Sequence, residues 1–209
     1  MKNHLLLIPD GIRRFSKKNH EVLSFTYEYS GRLLSDMVFE LLNCNFIDEL
    51  SVYPLASYNL NRSSHDTAAL ARGISKFLIK LSQSLQDNYT EIVHLGCIDT
   101  LNRLSALSAS TLKNILHNKS SSEGKRLNLL LAYDSLNSCP VEIDVRNWMP
   151  FRNPIKLIYR FGQPKSLVRG SAIFPMSDQA FWSGTSTLFP GSKINTIIQR
   201  LKILFERIK

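Results

Sequence analysis

The sequence predicts an α/β protein with a central, largely parallel sheet flanked by helices. Three observations carry that prediction. Short apolar runs alternate along the chain with longer segments whose apolar residues recur at helical spacing. The runs at residues 5–8 and 127–133 are continuous apolar stretches, read as buried strands. Strands separated by helical segments need crossover connections, and these favour parallel pairing.

In order along the chain, residues 5–8 form a first strand that stops at Pro9, and Asp10-Gly11 makes a turn. A basic cluster of Arg13, Arg14, Lys17 and Lys18 follows. Residues 22–43 carry Leu33, Leu34, Met37, Val38 and Leu41 at helical spacing. Residues 49–55 read as a strand. Residues 64–85 read as a helix opened by Ser63 and Ser64, with Asp66 in its first turn. A strand at 91–95 ends at Gly96, and 100–116 is predicted as one continuous helix. A polar loop covers 118–125, strands follow at 127–133 and 154–159, and an amphipathic helix closes the chain at 194–208. No repeat or linker interrupts this series, so residues 1–209 are expected to form a single domain.

Composition narrows the function. Of the 209 residues, 44% are hydrophobic and 21% charged, as in an ordinary globular chain. No apolar run reaches membrane-spanning length, and the first strand is too short for a signal-peptide core, so a cytoplasmic location is expected. Cys44, Cys97 and Cys139 are odd in number with no pair at metal spacing, and they read as reduced thiols. The five histidines are scattered singly. A net charge of +9 favours an anionic partner. The cations form no long run and accompany no nucleic-acid motif, which argues against nucleic acid. Clusters at strand ends suit a small, multiply charged anion better.

Such anions bind outside the carboxyl ends of parallel strands. The first strand ends in Pro9-Asp10-Gly11, and the second is followed by residues 56–63, with Asn59 and Arg62. The last ends in Arg160-Phe161-Gly162, with Arg169-Gly170-Ser171 beyond it. Gly11 lets the backbone approach a phosphate, the arginines neutralise it, and Asp10 is a hard oxygen ligand suited to Mg²⁺. The plainer alternative for the first cluster alone is a turn followed by a solvated basic helix. An acid, several arginines and an Asn meeting on one rim favour a metal-assisted diphosphate site.

These motifs resemble the cis-prenyltransferase family of the undecaprenyl diphosphate synthase type. The family's Asp-Gly-Asn-Gly-Arg-Trp stands here as residues 10–15, Asp-Gly-Ile-Arg-Arg-Phe. Its Ser-x-Glu-Asn-Trp-x-Arg matches residues 56–62, with Asn59 and Arg62 kept and Tyr58 and Leu60 replacing the acid and the aromatic. Its late Arg-x-Gly and Arg-x-Ser match Arg160-Phe161-Gly162 and Arg169-Gly170-Ser171, and residues 127–133 resemble its Leu-Asn-…-Tyr strand. Leu23 stands where most members carry Arg, and Tyr27 where they carry His. The late Glu falls near Phe181 or Trp182, with Asp178 the nearby acid. These departures, the short stretch after Tyr133 and the pattern from Arg169 to Pro175 resemble the lavandulyl and cyclolavandulyl diphosphate synthases.

The resemblance implies a Mg²⁺-dependent homodimeric prenyltransferase acting on prenyl diphosphates, with no nucleic-acid partner and no integral membrane segment. Asp10 would hold Mg²⁺. Gly11, Arg13, Arg14 and Phe15 would bind the first diphosphate. Asn59 would orient the leaving oxygen with Arg62 in support, and Arg160, Arg169 and Ser171 would hold the second diphosphate. The expected reaction joins two dimethylallyl units head-to-middle. Head-to-tail elongation, or a non-catalytic partner subunit of the same fold, are the alternatives.

Overall fold

Among the described residues, six strands form one sheet in which every pairing is parallel: β1 (His4–Ile8), β2 (Glu49–Ala56), β3 (Thr90–Leu95), β4 (Lys125–Tyr133), β5 (Leu157–Phe161) and β6 (Phe181–Thr185), in the order β3-β4-β2-β1-β5-β6. The structure is a computed structural model that describes residues 2–85, 90–117, 124–134, 151–162 and 180–208. Six α-helices are described: α1 (Ile12–Lys18), α2 (Leu23–Asn43), α3 (Ser64–Ser84), α4 (Ile98–Leu104), α5 (Ala106–His117) and α6 (Ile194–Arg207). A 3₁₀ turn (Ser57–Asn61) follows β2 directly.

The strands are apolar on both faces, as a doubly covered parallel sheet requires. In β1, Leu5 and Leu7 join the main core beneath α2, α3, α5 and α6, while Leu6 and Ile8 point into a smaller cluster with Tyr53, Tyr133 and Ile158. α2 buries Tyr27, Gly31, Leu34, Val38, Leu41 and Leu42 on its inner face. It packs closely along α3: a Cβ on Gly31 would stand 2.2 Å from the carbonyl oxygen of Gly73, and one on Gly73 would stand 2.8 Å from that of Tyr27. Only glycine on both helices allows that approach.

Most predicted elements stand, with three differences. The expected helix at 100–116 is two helices that break at Ser105. Ser105 is extended, its backbone N–H ends α4 on Leu101, and its Oγ accepts from the Ser108 N–H at 3.1 Å, capping α5. The strand expected at 154–159 runs instead over Leu157–Phe161, because its ladder with β1 opens at Leu5↔Leu157 and continues to Ile8↔Arg160. β6 went unread, since Phe-Trp-Ser-Gly-Thr is short and partly exposed and lacks an apolar run.

Candidate active site

Strand order reverses at β1. The chain leaves β1 toward β2 on one side, whereas β5 leads to β6 on the other. Loops that diverge from adjacent strands open a crevice between them, and this is where parallel sheets bind ligands. Asp10, two residues beyond β1, and Arg160, the penultimate residue of β5, face each other across that crevice. Arg160 Nη2 donates to Asp10 Oδ2 at 2.7 Å. Arg14 approaches the same oxygen at 3.4 Å from α1, and its Nη1 donates to the Gly162 carbonyl at 3.2 Å.

The turn that places Asp10 depends on Gly11. Its φ of +107° is a backbone conformation that side chains disfavour, and a Cβ there would meet Leu188 at 2.9 Å. The segment after β6 is stitched onto the same rim: Phe189 N–H donates to the Asp10 carbonyl and Gly162 N–H to the Thr187 carbonyl, both at 3.0 Å.

The opposite wall comes from β2, the 3₁₀ turn and α2. Arg62 donates from Nη2 to Asn59 Oδ1 and from Nη1 to the Tyr27 hydroxyl, the latter at 3.1 Å. Burial pushes the Tyr27 phenol above its ordinary pKa, against the opposing effects of Arg62 and Arg13, so it stays a donor at neutral pH. Arg62 occupies a lone pair of that oxygen and leaves the phenolic proton to donate into the cleft. Arg13 turns toward α3 and donates to Asp66 Oδ2 at 3.0 Å, bridging α1 to the first turn of α3.

Together these residues line a cleft of about 240 Å³ that includes Asp10, Gly11, Arg13, Arg14, Asn59, Arg62 and Arg160. Phe15 is not among its lining. It sits against Gly191 and lines a separate groove with Lys18 and Thr187. Arg169 and Ser171 lie outside the described residues, as do Asp178 and the 174–175 pair. Tyr27 and Asp66 were not assigned to the site from sequence. Tyr27 shares the inner face of α2 with Gly31 and Leu34, a periodicity that points it beneath the rim. Asp66 lies three residues after Ser63, whose Oγ accepts its N–H at 3.2 Å.

Beneath the cleft is an apolar pouch lined by Leu34, Ile74, Phe77 and Phe189, with Pro9, Ile12, Tyr27, Pro54 and Leu70 shared between the two. It holds only about 20 Å³, because the Gly31–Gly73 approach closes α2 onto α3 at its wall. That is room for about one water. Among the described residues no helix is long and apolar enough to cross a membrane.

A family model described as "Putative undecaprenyl diphosphate synthase" matches residues 8–139, more than half of the chain. No curated protein gives a significant match. Among solved structures, the fold is similar to lavandulyl diphosphate synthase from Lavandula x intermedia in complex with dimethylallyl diphosphate, with TM-score 0.74 at 18% identity over 97% of this chain and 94% of that one. It is also similar to a probable undecaprenyl diphosphate synthase from Campylobacter jejuni, with TM-score 0.69 at 16% identity over 99% of this chain and 95% of that one. The cleft at the strand-order reversal and the family match over its motifs lead to one conclusion: this chain belongs to the undecaprenyl diphosphate synthase family of prenyltransferases.

Proposed function

We propose that the chain joins two short prenyl diphosphates, most simply two dimethylallyl diphosphates head-to-middle, with release of pyrophosphate. The observation that carries the short-chain reading is the pouch beneath the cleft. Among the described residues, the pouch between α2 and α3 holds about 20 Å³, too little for a long polyprenyl tail, while the 240 Å³ cleft above it has room for a small substrate. The C–O bond of the allylic diphosphate breaks and its electrons leave with pyrophosphate. The double bond of the second substrate then attacks the carbocation, and a proton is lost.

Arg14 and Arg160 would stabilise charge developing on the leaving diphosphate. Tyr27 and Asn59, held by Arg62, would orient it. The Leu23 position, where most relatives carry Arg, supports an approach of the two allylic units other than head-to-tail. Arg169 and Ser171 enter the proposal as holders of the second diphosphate. A homodimer is part of the same reading, and Phe181 on edge strand β6 is 48% exposed.

Mg²⁺ completes the proposal. Asp10 provides one hard oxygen, and Mg²⁺ commonly combines one or two carboxylates with substrate phosphates. Among the described residues no three His, Cys, Asp or Glu side chains converge. A single carboxylate at the rim suits a metal that arrives with the diphosphate. When bound, it supplies Lewis-acid stabilisation of the leaving group.

The test is incubation of the purified protein with Mg²⁺ and dimethylallyl diphosphate alone, with the product identified by mass spectrometry. A ten-carbon branched diphosphate, lost on chelation and restored by Mg²⁺, is expected. A linear product that requires isopentenyl diphosphate would return the chain to the elongating class. No product from any donor and acceptor would favour the partner-subunit role, with which the absence of an acid at Phe181 and Trp182 is consistent.

A further inference from the structure

Arg13, Arg14, Arg62 and Arg160 all line the cleft, and they are held in different ways. Arg14 and Arg160 meet Asp10, which lines the cleft beside them. Arg62 is held by two neutral groups, the Asn59 side chain and the Tyr27 hydroxyl. Arg13 differs from these three. It lines the cleft, yet its Nη1 donates at 3.0 Å to Asp66, which does not line the cleft. One cation of the cleft is thus engaged by a carboxylate outside it. Asp66 has other support. It lies in the first turn of α3, a 21-residue helix, where the helix dipole favours a carboxylate. Its own N–H donates to Ser63 Oγ at 3.2 Å, and His65 Nδ1 lies 3.9 Å from its Oδ1. The pair is open to water, with Arg13 52% exposed and Asp66 21%.

We propose that Asp66 is a positioning residue that holds Arg13 aside in the empty cleft and yields it to an incoming diphosphate. Magnitudes decide the exchange. An exposed ion pair shifts an equilibrium by at most about fivefold. A guanidinium bonded to a phosphate oxygen shifts one by about ten- to a hundredfold, so the diphosphate wins Arg13. The exchange happens within reach of the reacting groups. Burial dominates the Tyr27 phenol, but the charges of Arg62, Arg13 and Asp66 all act on it. Like charges crowded into an empty cleft repel one another, and the two acids relieve this differently. Asp10 stays in the cleft with the ligand, whereas Asp66 stays outside and never touches it. Asp66 therefore lowers diphosphate affinity, which eases the departure of pyrophosphate. This inference rests on the reading of the cleft as a diphosphate site, not on which prenyl groups are joined.

The test is calorimetric titration of the full chain with inorganic pyrophosphate in Mg²⁺ buffer, where binding is read without turnover. Asp66→Asn should bind pyrophosphate about two- to fivefold more tightly than the unaltered chain. Arg13→Gln should bind it about ten- to a hundredfold more weakly. Adding Asp66→Asn to Arg13→Gln should change nothing further. The sign is the decisive readout, because a carboxylate that only shaped the α1–α3 contact would weaken binding when removed. Unchanged or weaker binding by Asp66→Asn overturns the proposal. So does a gain that persists in the Arg13→Gln background, which would be the general effect of one negative charge fewer. If the unaltered chain binds no pyrophosphate, the diphosphate reading of the cleft falls and the proposal falls with it. If it binds and only the Asp66 results fail, that reading stands and the proposal alone is overturned.

Discussion

The two ends of the same strands hold similar chemistry in opposite states. At the amino end, Glu49 is fully buried and accepts from Asn128 at 2.7 Å, from the side chain and backbone of Asn153 at 2.8 Å each, and from the Arg152 N–H at 3.1 Å. His4, also fully buried, is fixed through Ser51 Oγ and the Asn153 carbonyl, both at 2.7 Å. At the carboxyl end, Asp10 is 34% exposed and its charge is met by Arg160 and Arg14. A carboxylate satisfied by fixed amides and backbone ties three strands and a loop together. One held by arginines at an open rim can exchange those partners for a ligand. Buried satisfaction makes the first acid structural, and incomplete burial leaves the second available for chemistry.

The largest expected effect lies at the buried end. Glu49→Ala should cost about 3–5 kcal/mol, because it strands several donors and the Arg126 charge nearby. Urea denaturation measures this, and a loss below about 1 kcal/mol would erase the contrast. Asp10→Ala should do the reverse, moving stability by no more than about 1 kcal/mol and lowering turnover by about a hundredfold to a thousandfold. Full activity with Mg²⁺ present would remove Asp10 from the chemistry. Arg160→Ala and Arg169→Ala should weaken the second prenyl diphosphate more than the first, by about ten- to a hundredfold, read from Michaelis constants for each substrate.

The pH dependence separates the two ends further. Burial holds His4 below the ordinary imidazole pKa of 6.5, despite the opposing charge of Glu49. The unfolded chain then binds the extra proton first, so stability is full above 6.5 and declines as pH falls below it. Burial would raise the Glu49 carboxyl, but the charge of His4 and the donors on Asn128, Asn153 and Arg152 hold it below its ordinary 4.5, adding a second loss below that value. His4→Gln should abolish the first decline, and an unchanged profile of urea midpoints would count against it. The smallest effect is the Arg13–Asp66 bridge between α1 and α3. With Arg13 52% exposed, Asp66→Asn should cost about 0.2–1 kcal/mol, measured by thermal unfolding.

The same contrast explains what was legible in the sequence. β1 and β4 were readable because their apolar runs leave few alternatives, and α2 and α3 because their buried stripes repeat over 21 residues each. The rim was readable as a composition of Asp10, Arg14, Asn59, Arg62 and Arg160, since each follows or ends a recognisable strand. Partner choice was not. That Arg13 turns to Asp66 while Arg14 turns to Asp10 depends on the rotation of a seven-residue helix. The closed pouch was equally hidden, because Gly31 and Gly73 gain meaning only when α2 and α3 are side by side. The break at Ser105 needed a tertiary eye as well: its hydroxyl also meets Ser75 on α3, at 3.1 Å. The Glu49 cluster draws its donors from residues up to 104 positions away, beyond any local pattern.

The central place of β1 has a consequence for how the molecule is made. β1, which precedes the other described strands in sequence, is flanked on one side by β2 and on the other by β5, with Leu5 paired to Leu157. During translation, β1 and β2 can meet early, but the other edge of β1 stays open until β5, about 150 residues later, has emerged. Parallel pairings over such separations form slowly and leave apolar edges exposed meanwhile. The Asp10–Arg160 contact lies on that last seam, 150 residues apart. Nascent chains that stop short of β5 therefore hold half of the crevice and a central strand with one open edge, a species suited to capture by chaperones and unable to assemble the rim.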